Sequence, residues 1–264
     1  MVKKYNLFKY YAPTKYNFDA LERGYWFFSK FGHANDPFDC DARILDLIKN
    51  KWNLKSTDIK NGSLKDFAIC SFSDSPLNKH LWALYSDCYK GFVVEYEYSE
   101  EVYMPFATKG LPIPLFKVSY LDKEEIETKT GIPATKLIPP KASDLPPARE
   151  EQEREDDLFY YLYSIKEKSI WSAENEMRLL LGNIKPGKPD VMINCTCHNG
   201  YKVFFPNTIV KRIILGNNCC ECNKTKLLQI ANQYKVKVEQ VIVEEPFELA
   251  LKQIDTNGAE KVNE

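Results

Sequence analysis

The sequence lacks several features on which common enzyme classes depend. It contains three histidines, His33, His80 and His198, and none stands in the context of a cysteine protease. Neither a Gly-x-Gly-x-x-Gly nor a Gly-x4-Gly-Lys-Ser/Thr phosphate-binding loop occurs, which argues against dehydrogenase, kinase and NTPase chemistry. The formal net charge is -1, so no overall basic field attracts nucleic acid or anionic membrane.

Long apolar runs are also missing. No stretch of about 18 apolar residues occurs, and the first residues lack the apolar core of a signal peptide. We therefore expect a cytoplasmic protein with no membrane partner. In that compartment the eight cysteines are expected to be thiols or metal ligands rather than disulfides.

The composition is that of a globular chain. Hydrophobic residues make up 44% of the 264 residues, enough to bury a core, and no internal repeat is present. Short strand-like and helix-like segments alternate irregularly, which predicts an α+β fold with mixed, largely antiparallel sheets and flanking helices. We expect one domain over residues 1–252, with a proline-rich and charged insertion at about 133–157, and a polar tail over 253–264.

Hydrophobic periodicity gives the approximate element positions. Strands are predicted at 5–11, 25–29, 67–72, 92–98, 174–181, 203–205, 209–215 and 236–244, with a bent edge strand in 109–120. Helices are predicted at 18–22, 41–51, 78–87, 158–169 and 223–234.

The segment from Gly24 to Asp39 is the first candidate for function. Asn35 and Asp36 precede a proline, where they can form an Asx turn, a rigid corner and a helix cap. Ser29, at the end of the predicted strand, could instead donate its hydroxyl to a ligand. The two interpretations stay open from the residues alone.

Two further segments carry aromatic or charged groups. Trp82 and Tyr85 lie three residues apart on one helical face, either as a core pair or as a binding surface. Glu174, Glu176 and Arg178 alternate along a predicted strand and share one face. That face is either an exposed ladder of ion pairs or a site in which a carboxylate bonds a ligand hydroxyl.

Cysteines form two clusters about twenty residues apart. Cys195 and Cys197 in one cluster, with Cys219 and Cys222 in the other, could supply four zinc ligands. The spacing is Cys-x-Cys in part and the intervening segment looks like a strand, so reduced thiols without metal are the other interpretation.

Several boxes in order resemble a bacterial family catalogued as domain of unknown function 2971. They are Phe-Ser-Lys-Phe-x3-Asn-Asp-Pro-Phe-Asp at 28–39, Cys-Ser-Phe-Ser at 70–73, Trp-Ala-x-Tyr-x4-Lys-Gly-Phe at 82–92, and Lys-Ser-x-Trp-x2-Glu-x-Glu-x-Arg at 168–178. The similarity covers roughly residues 7–220 and implies a family rather than an activity.

The layout is also similar to that of ADP-ribosyltransferases. In that fold a first strand holds the nicotinamide ribose, and here Lys9 and Tyr10 stand where the family has His or Arg. Residues 24–29 resemble the second element, which supports nicotinamide with an aromatic side chain. The Glu174-Asn-Glu176 sequence resembles the Glu-x-Glu of the arginine-directed enzymes. The resemblance implies an ADP-ribosyltransferase-like core and NAD as substrate.

The resemblance also implies residue roles. Glu176 would stabilise the oxocarbenium-like state formed as the nicotinamide–ribose bond breaks, and Glu174 would orient or deprotonate the acceptor. Tyr25 and Ser29 would position nicotinamide and ribose, and Arg178 would hold the carboxylates or a phosphate. The acceptor would be a protein or nucleic acid, as for a toxin or an anti-phage defence effector.

Two other functions remain open at this stage. One is a non-catalytic module that binds a nucleotide or partner proteins in a multi-component defence system, through surfaces such as Trp82 and Tyr85. The other is a metal-dependent nuclease that uses Asp36, Asp39 and Asp41, since carboxylates two residues apart can hold Mg²⁺ when both face one cleft.

Overall fold

A computed structural model describes residues 2–30, 39, 44, 67–99, 101, 113–128, 135–138, 162, 164–181 and 200–254. The chain divides into two compact units. The first comprises Met1–Tyr25, Phe72–Val102 and Phe204–Glu264, and the second comprises Trp26–Ser71 and Tyr103–Val203. The expectation of one domain over residues 1–252 stays a prediction.

The first unit is built on a mixed sheet in the order β13-β12-β11-β4-β1. These strands are β1 (Lys4–Tyr11), β4 (Phe92–Ser99), β11 (Val210–Leu215), β12 (Lys237–Glu245) and β13 (Glu248–Gln253). The β1 and β4 strands pair antiparallel along their whole lengths, from Lys4 opposite Ser99 to Tyr11 opposite Phe92. The end of β3 (Ala68–Ser73) joins this sheet, where Ser73 pairs with Phe8.

The described residues of the first unit include the α-helices α1 (Lys15–Arg23), α2 (Lys79–Leu84) and α5 (Glu221–Tyr234). Parallel strands need a crossover connection, and α5 supplies it between the parallel pair β11 and β12. Its inner face buries Leu227, Ile230 and Ala231. One core cluster of this unit comprises Phe8, Trp82, Val93, Ile214 and Val241.

The second unit has strands in the order β10-β2-β3-β9-β5-β7, with the first four residues of β3 in this unit. The bounds are β2 (Tyr25–Lys30), β5 (Leu115–Lys117), β7 (Thr135–Ile138), β9 (Glu176–Leu181) and β10 (Gly200–Phe204). A separate parallel pair joins β6 (Ser119–Leu121) to β8 (Ile165–Glu167). Short helices α3 (Lys123–Thr128) and α4 (Lys168–Trp171) flank them, and a 3-10 turn spans Ser172–Glu174.

The predicted α+β class is confirmed, because helices flank a mixed and mostly antiparallel strand arrangement. Among the described helices, none combines the length and the apolar character needed to cross a membrane.

Several local predictions were wrong. Residues 165–167 form strand β8 instead of helix, because pairing with β6 overrides local propensity. The segment containing β5 is no edge strand, since β5 pairs with both β7 and β9. Strand β13 was missed, because its hairpin turn contains Phe247 with φ 67 and carries no Gly or Asn signal. The helix predicted at 41–51 lies outside the described residues apart from residue 44.

Gly91 is expected to be essential for the packing of the first unit. A Cβ at this position would lie 2.0 Å from the carbonyl oxygen of Tyr11, which is backbone and cannot move aside cheaply. We expect Gly91→Ala to lower the free energy of unfolding by about 2 kcal/mol or more in a urea titration. The neighbouring exposed variant Lys90→Ala should change it by less than about 1 kcal/mol. Equal effects of the two variants would contradict this packing.

Candidate functional site

Five charged side chains of the second unit meet in what we call the buried charge cluster: Asp39, Lys166, Glu174, Glu176 and Arg178. Their side chains are at most 6% exposed. Charges are rarely buried unless they are paired, so this concentration singles out the site for chemistry or binding.

Strand β9 positions two members of the cluster. Glu176 and Arg178 are two residues apart on the strand, so both side chains leave the same face. The strand is held on both sides, because β3 and β5 are its neighbours. Every residue of β9 is buried. The predicted common face of Glu176 and Arg178 is therefore present, and it points into the protein rather than forming an exposed ladder.

Glu174 reaches the cluster by a different route. It ends the 3-10 turn and does not belong to β9, so the prediction of a continuous strand over 174–181 was wrong. Asn175 adopts a left-handed conformation with φ 48 and ψ 50, which interrupts the extended backbone between the two glutamates. Asn tolerates this conformation better than most residues. An Asn just before Glu176 is therefore a local sign that the strand begins at Glu176 and not at Glu174.

Arg178 lies at the centre of the cluster. Its Nη1 and Nη2 donate to Asp39 Oδ1 and Oδ2 at 2.8 and 2.7 Å, and its Nε and Nη2 donate to Glu176 Oε1 and Oε2 at 2.7 and 3.0 Å. The planar guanidinium thus holds two carboxylates in bidentate geometry at once. Arg178 is therefore a partner that the two carboxylates share.

Lys166 links the two glutamates. Its Nζ donates to Glu174 Oε2 at 2.6 Å and to Glu176 Oε2 at 3.3 Å, and lies 4.3 Å from the centroid of the Trp171 ring. Burial works against the charged ammonium, but the anionic glutamates outweigh it and raise the pKa of Lys166 above its ordinary value. Lys166 is therefore a fixed cation at neutral pH.

Glu176 is an ionised carboxylate despite complete burial. Burial alone would raise its pKa and is the strongest single influence. The charges of Arg178 and Lys166, with hydrogen bonds from Arg178 and Ser71, together outweigh it and lower the pKa to about 2. Such a group carries a permanent negative charge at neutral pH and is unsuited to release or accept a proton there.

Tyr120 borders the cluster from β6. Its hydroxyl oxygen accepts a hydrogen bond from the backbone N–H of Glu176 at 2.8 Å. Burial, reinforced by the charges of Glu176 and Glu174, raises the pKa of Tyr120 well above its ordinary range. The phenol thus remains protonated and supports the start of β9.

The cluster adjoins the protein surface at Ser71. This residue is exposed, although its side chain bonds the buried carboxylate of Glu176. Ser29 pairs with Ile69, and Ser71 follows two residues later on β3, so all three side chains lie on one sheet face. Ser29 is half-buried. Ser29 and Ser71 therefore share the sheet face from which Ser71 bonds Glu176.

Other predicted site residues serve packing in the first unit. The Tyr10 hydroxyl donates to Ser75 O at 2.8 Å and accepts from Asn78 N at 3.1 Å, and the ring meets Trp82 edge-on. Burial raises the pKa of Tyr10 far above its ordinary value. Lys9 Nζ lies 5.1 Å from the Phe72 ring centroid. Trp82 is fully buried, which agrees with the core interpretation.

Two further aromatic residues that were predicted to contribute to binding, Tyr85 and Tyr25, also have local roles. Tyr85 is half-buried and ends helix α2 as its C-cap, with its N–H bonded to Leu81 O. The Tyr25 hydroxyl donates to Asp19 Oδ2 at 2.7 Å, and the Tyr25 ring packs edge-on against Phe204.

The zinc hypothesis stays a prediction, because only two of its four ligands, Cys219 and Cys222, lie in the described part of the chain. There, no group of three or more His, Cys, Asp or Glu side chains is arranged to hold a metal. Cys195 and Cys197, like Asn35, Asp36 and Asp41, lie outside the described residues. Burial is the main influence that raises the pKa of Cys219, to about 11.

Sequence reasoning missed Lys166, Tyr120 and Ser71. Lys166 was placed in a helix, and no local pattern identified it as the partner of two glutamates. Ser71 lies inside the Cys-Ser-Phe-Ser box at 70–73. Its alternation with the buried Cys70 and Phe72 is the signal that could have placed its side chain on the other face of the strand.

The chain matches no protein-family model, no curated protein and no solved structure.

Removing Arg178 should destabilise the protein strongly. Arg178→Ala leaves Asp39 and Glu176 buried without their shared cation, and breaking a buried pair in this way costs about 3–5 kcal/mol. The matched control is Arg212→Ala in the first unit, where the side chain is 25% exposed and pairs with Glu95 and Glu239. We expect the control to cost clearly less in urea-induced unfolding. Equal losses would show that the buried pairing has no special weight.

The Glu176 carboxylate should also give stability a dependence on acidic pH. Its folded-state pKa of about 2 lies below the ordinary 4.5, so its contribution is complete above pH 4.5 and is lost as pH falls toward 2. The difference in unfolding free energy between wild type and Glu176→Gln should therefore shrink across this window. Urea titrations at several pH values measure it, and a difference independent of pH would contradict the assignment.

Proposed function

We propose that the protein is an NAD-consuming, ADP-ribosyltransferase-like enzyme in which Glu176 is the carboxylate beside the reacting ribose. The observation that carries the proposal is a fixed, ionised carboxylate whose hydrogen bond to an exposed serine brings it next to the surface. The resemblance of Glu174-Asn-Glu176 to the Glu-x-Glu of ADP-ribosyltransferases gives the reaction class.

The charge balance of the cluster suits this chemistry. Cleavage of the nicotinamide–ribose bond builds positive charge on the ribose and releases neutral nicotinamide. Three carboxylates of the cluster face two cations, so its formal charge is negative by one. Preorganised negative charge in a site shielded from water stabilises such a state without reorganisation during the reaction.

The low pKa of Glu176 defines what this residue contributes. A carboxylate with a pKa of about 2 accepts a hydrogen bond from a ribose hydroxyl and stabilises a neighbouring cation. It does not act as the general base. In the proposal, the acceptor's proton passes to Glu174 when the acceptor attacks the ribose carbon, and then to solvent.

Ser29 and Ser71 provide the approach for the ribose. They occupy the same face of neighbouring strands β2 and β3, and β9 with Glu176 is the next strand. Two strand spacings amount to about 10 Å, a distance that one ribose and its phosphate can bridge. A ribose hydroxyl that displaces the Ser71 hydroxyl would meet the carboxylate directly.

Arg178 and Lys166 act as positioning residues in this scheme. Both are engaged with the carboxylates, so we assign them no phosphate contact. Tyr10 and Tyr25 use their hydroxyls inside the first unit, so we assign them no hydrogen bond to NAD. The acceptor is a protein or nucleic acid, in the setting of a toxin or phage-defence effector.

One observation favours a second candidate, a non-catalytic module that binds a nucleotide or a partner protein. The Glu176 carboxylate already receives hydrogen bonds from Arg178, Lys166 and Ser71. A network satisfied to this degree can serve stability and specificity of packing alone. In that case the protein would bind NAD without cleaving it, or would not bind NAD at all.

The nuclease alternative has less support. Both oxygens of Asp39 are bonded to Arg178, which occupies the position a divalent cation would need. Asp36 and Asp41 lie outside the described residues. Any nuclease activity that EDTA abolishes would favour this alternative over the proposal.

Release of nicotinamide from NAD tests the proposed enzyme. Purified protein, incubated with a cell lysate as a source of acceptors, should release nicotinamide, and Glu176→Gln should reduce the rate at least about 100-fold because the fixed anion is lost. Glu221→Gln is the control, since its side chain is 85% exposed and lies in the first unit. Circular dichroism confirms that both variants fold. Absence of nicotinamide release by wild type in all lysates would overturn the enzyme proposal.

The variant Ser71→Ala distinguishes the binding of NAD from the cleavage of the nicotinamide–ribose bond. The variant removes one hydrogen bond from Glu176 but keeps both cations, so the protein should remain folded. We expect a raised KM for NAD with a smaller change in kcat than in Glu176→Gln, measured by nicotinamide release. An unchanged KM would indicate that NAD does not enter over Ser71.

A further inference from the structure

The start of helix α5 brings two cysteine sulfurs together. Cys220 is the N-cap residue with an extended backbone at φ -72 and ψ 155, and Cys222 is the second helical residue. An N-cap side chain folds over the first helical turn, toward the residues that follow it. A Cys-x-Cys spacing that begins at an N-cap therefore places both sulfurs on the same side of the turn.

The two sulfurs are in contact. Cys220 Sγ and Cys222 Sγ lie 2.8 Å apart, and both residues are exposed and reduced. A disulfide bond requires about 2.05 Å, so a small side-chain rotation closes the remaining gap. Neither side chain contributes to the described core, which leaves them free to react without unfolding the unit.

The neighbouring cysteines differ in geometry. Cys219 turns its Sγ toward the backbone oxygen of Cys220 at 3.7 Å, and it is only half-exposed. Cys88 is exposed, and its backbone carbonyl accepts a hydrogen bond from Asn218 Nδ2 at 3.1 Å. Among the three cysteines at the start of α5, Cys220 and Cys222 are the two whose sulfurs are in contact, so these two thiols are the pair prepared for reaction.

We propose that Cys220 and Cys222 form a reversible intramolecular disulfide, which makes the start of α5 a site of thiol oxidation by hydroperoxides. The inference is independent of the NAD chemistry proposed above, because it concerns the first unit alone. The ligand class is an oxidant that takes two electrons, such as hydrogen peroxide.

The reaction balances in two steps. A hydroperoxide transfers one oxygen to the first sulfur, its O–O bond breaks, and water or an alcohol leaves. The second thiol then attacks the sulfenic sulfur, the S–S bond forms, and the oxygen departs as water. Two thiols lose two electrons and two protons in total. A dithiol reductant reverses the bond by exchange.

A short loop makes this disulfide readily reducible. Only one residue, Glu221, separates the cysteines, and the second cysteine lies in helical backbone. Departures from relaxed disulfide geometry store strain and make a bond easier to reduce. Such a bond suits a reversible modification better than a permanent structural link, and closing it perturbs the first turn of α5.

Peptide mapping after peroxide treatment tests the proposal on the full chain. Native protein is exposed to hydrogen peroxide, alkylated, and digested, and disulfides are assigned by mass spectrometry. We expect a Cys220–Cys222 link with loss of two hydrogens and loss of alkylation at both positions, reversed by dithiothreitol. Cys222→Ser should abolish the link, whereas Cys88→Ser should retain it in full.

Three outcomes would overturn the proposal. The first is that the Cys220–Cys222 link does not form, although both thiols oxidise to sulfinic acids. Alternatively, Cys220 bonds to Cys219, Cys195 or Cys197 instead. Finally, the link forms only after urea unfolding. Circular dichroism of the two serine variants verifies that the fold, and therefore the contact, has been preserved in each comparison.

Discussion

The guanidinium of Arg178 is the interaction on which the second unit depends. It bonds Asp39 and Glu176 in bidentate fashion, and through Glu176 it is linked to Lys166 and Glu174. Arginine suits this position because its planar fork matches two carboxylates at once and it keeps its charge in a buried site. Lysine could not reproduce the four contacts. Removing the guanidinium would change the formal charge of the cluster from -1 to -2 in a poorly solvated place and would leave Asp39 and Glu176 without their bidentate partner.

The surrounding sheet explains how such a costly group is tolerated. Strand β9 is paired on both sides, so the backbone of Glu176 and Arg178 is held by the sheet independently of their side-chain contacts. Tyr120 bonds the first N–H of the strand, and Trp171 covers the ammonium of Lys166. A rigid support of this kind keeps charged groups in one geometry, which is what preorganised stabilisation of a reacting cation requires.

Some of the strands and part of the buried charge cluster could be predicted from the sequence. The other members of the cluster could not, for physical reasons. Period-two spacing on β9 correctly placed Glu176 and Arg178 on one face. Strands β1, β2 and β4 followed from apolar and aromatic runs bounded by Pro13, Gly24 and Gly91. Glu174 was wrongly put on the same strand, because the left-handed turn at Asn175 leaves no trace in a hydrophobic pattern. Lys166 and Ser71 could not be found, since their roles come from strand pairings between segments far apart in the chain. The single domain, the NAD site and the family resemblance stay predictions.

A structure of the protein bound to a non-hydrolysable NAD analogue would show whether Glu176 meets the reacting ribose. We expect a hydroxyl of the nicotinamide ribose to lie within about 3 Å of the Glu176 carboxylate, with the ribose on the face that carries Ser29 and Ser71. An analogue bound elsewhere on the molecule, or no binding at saturating concentration while the buried charge cluster remains intact, would contradict it.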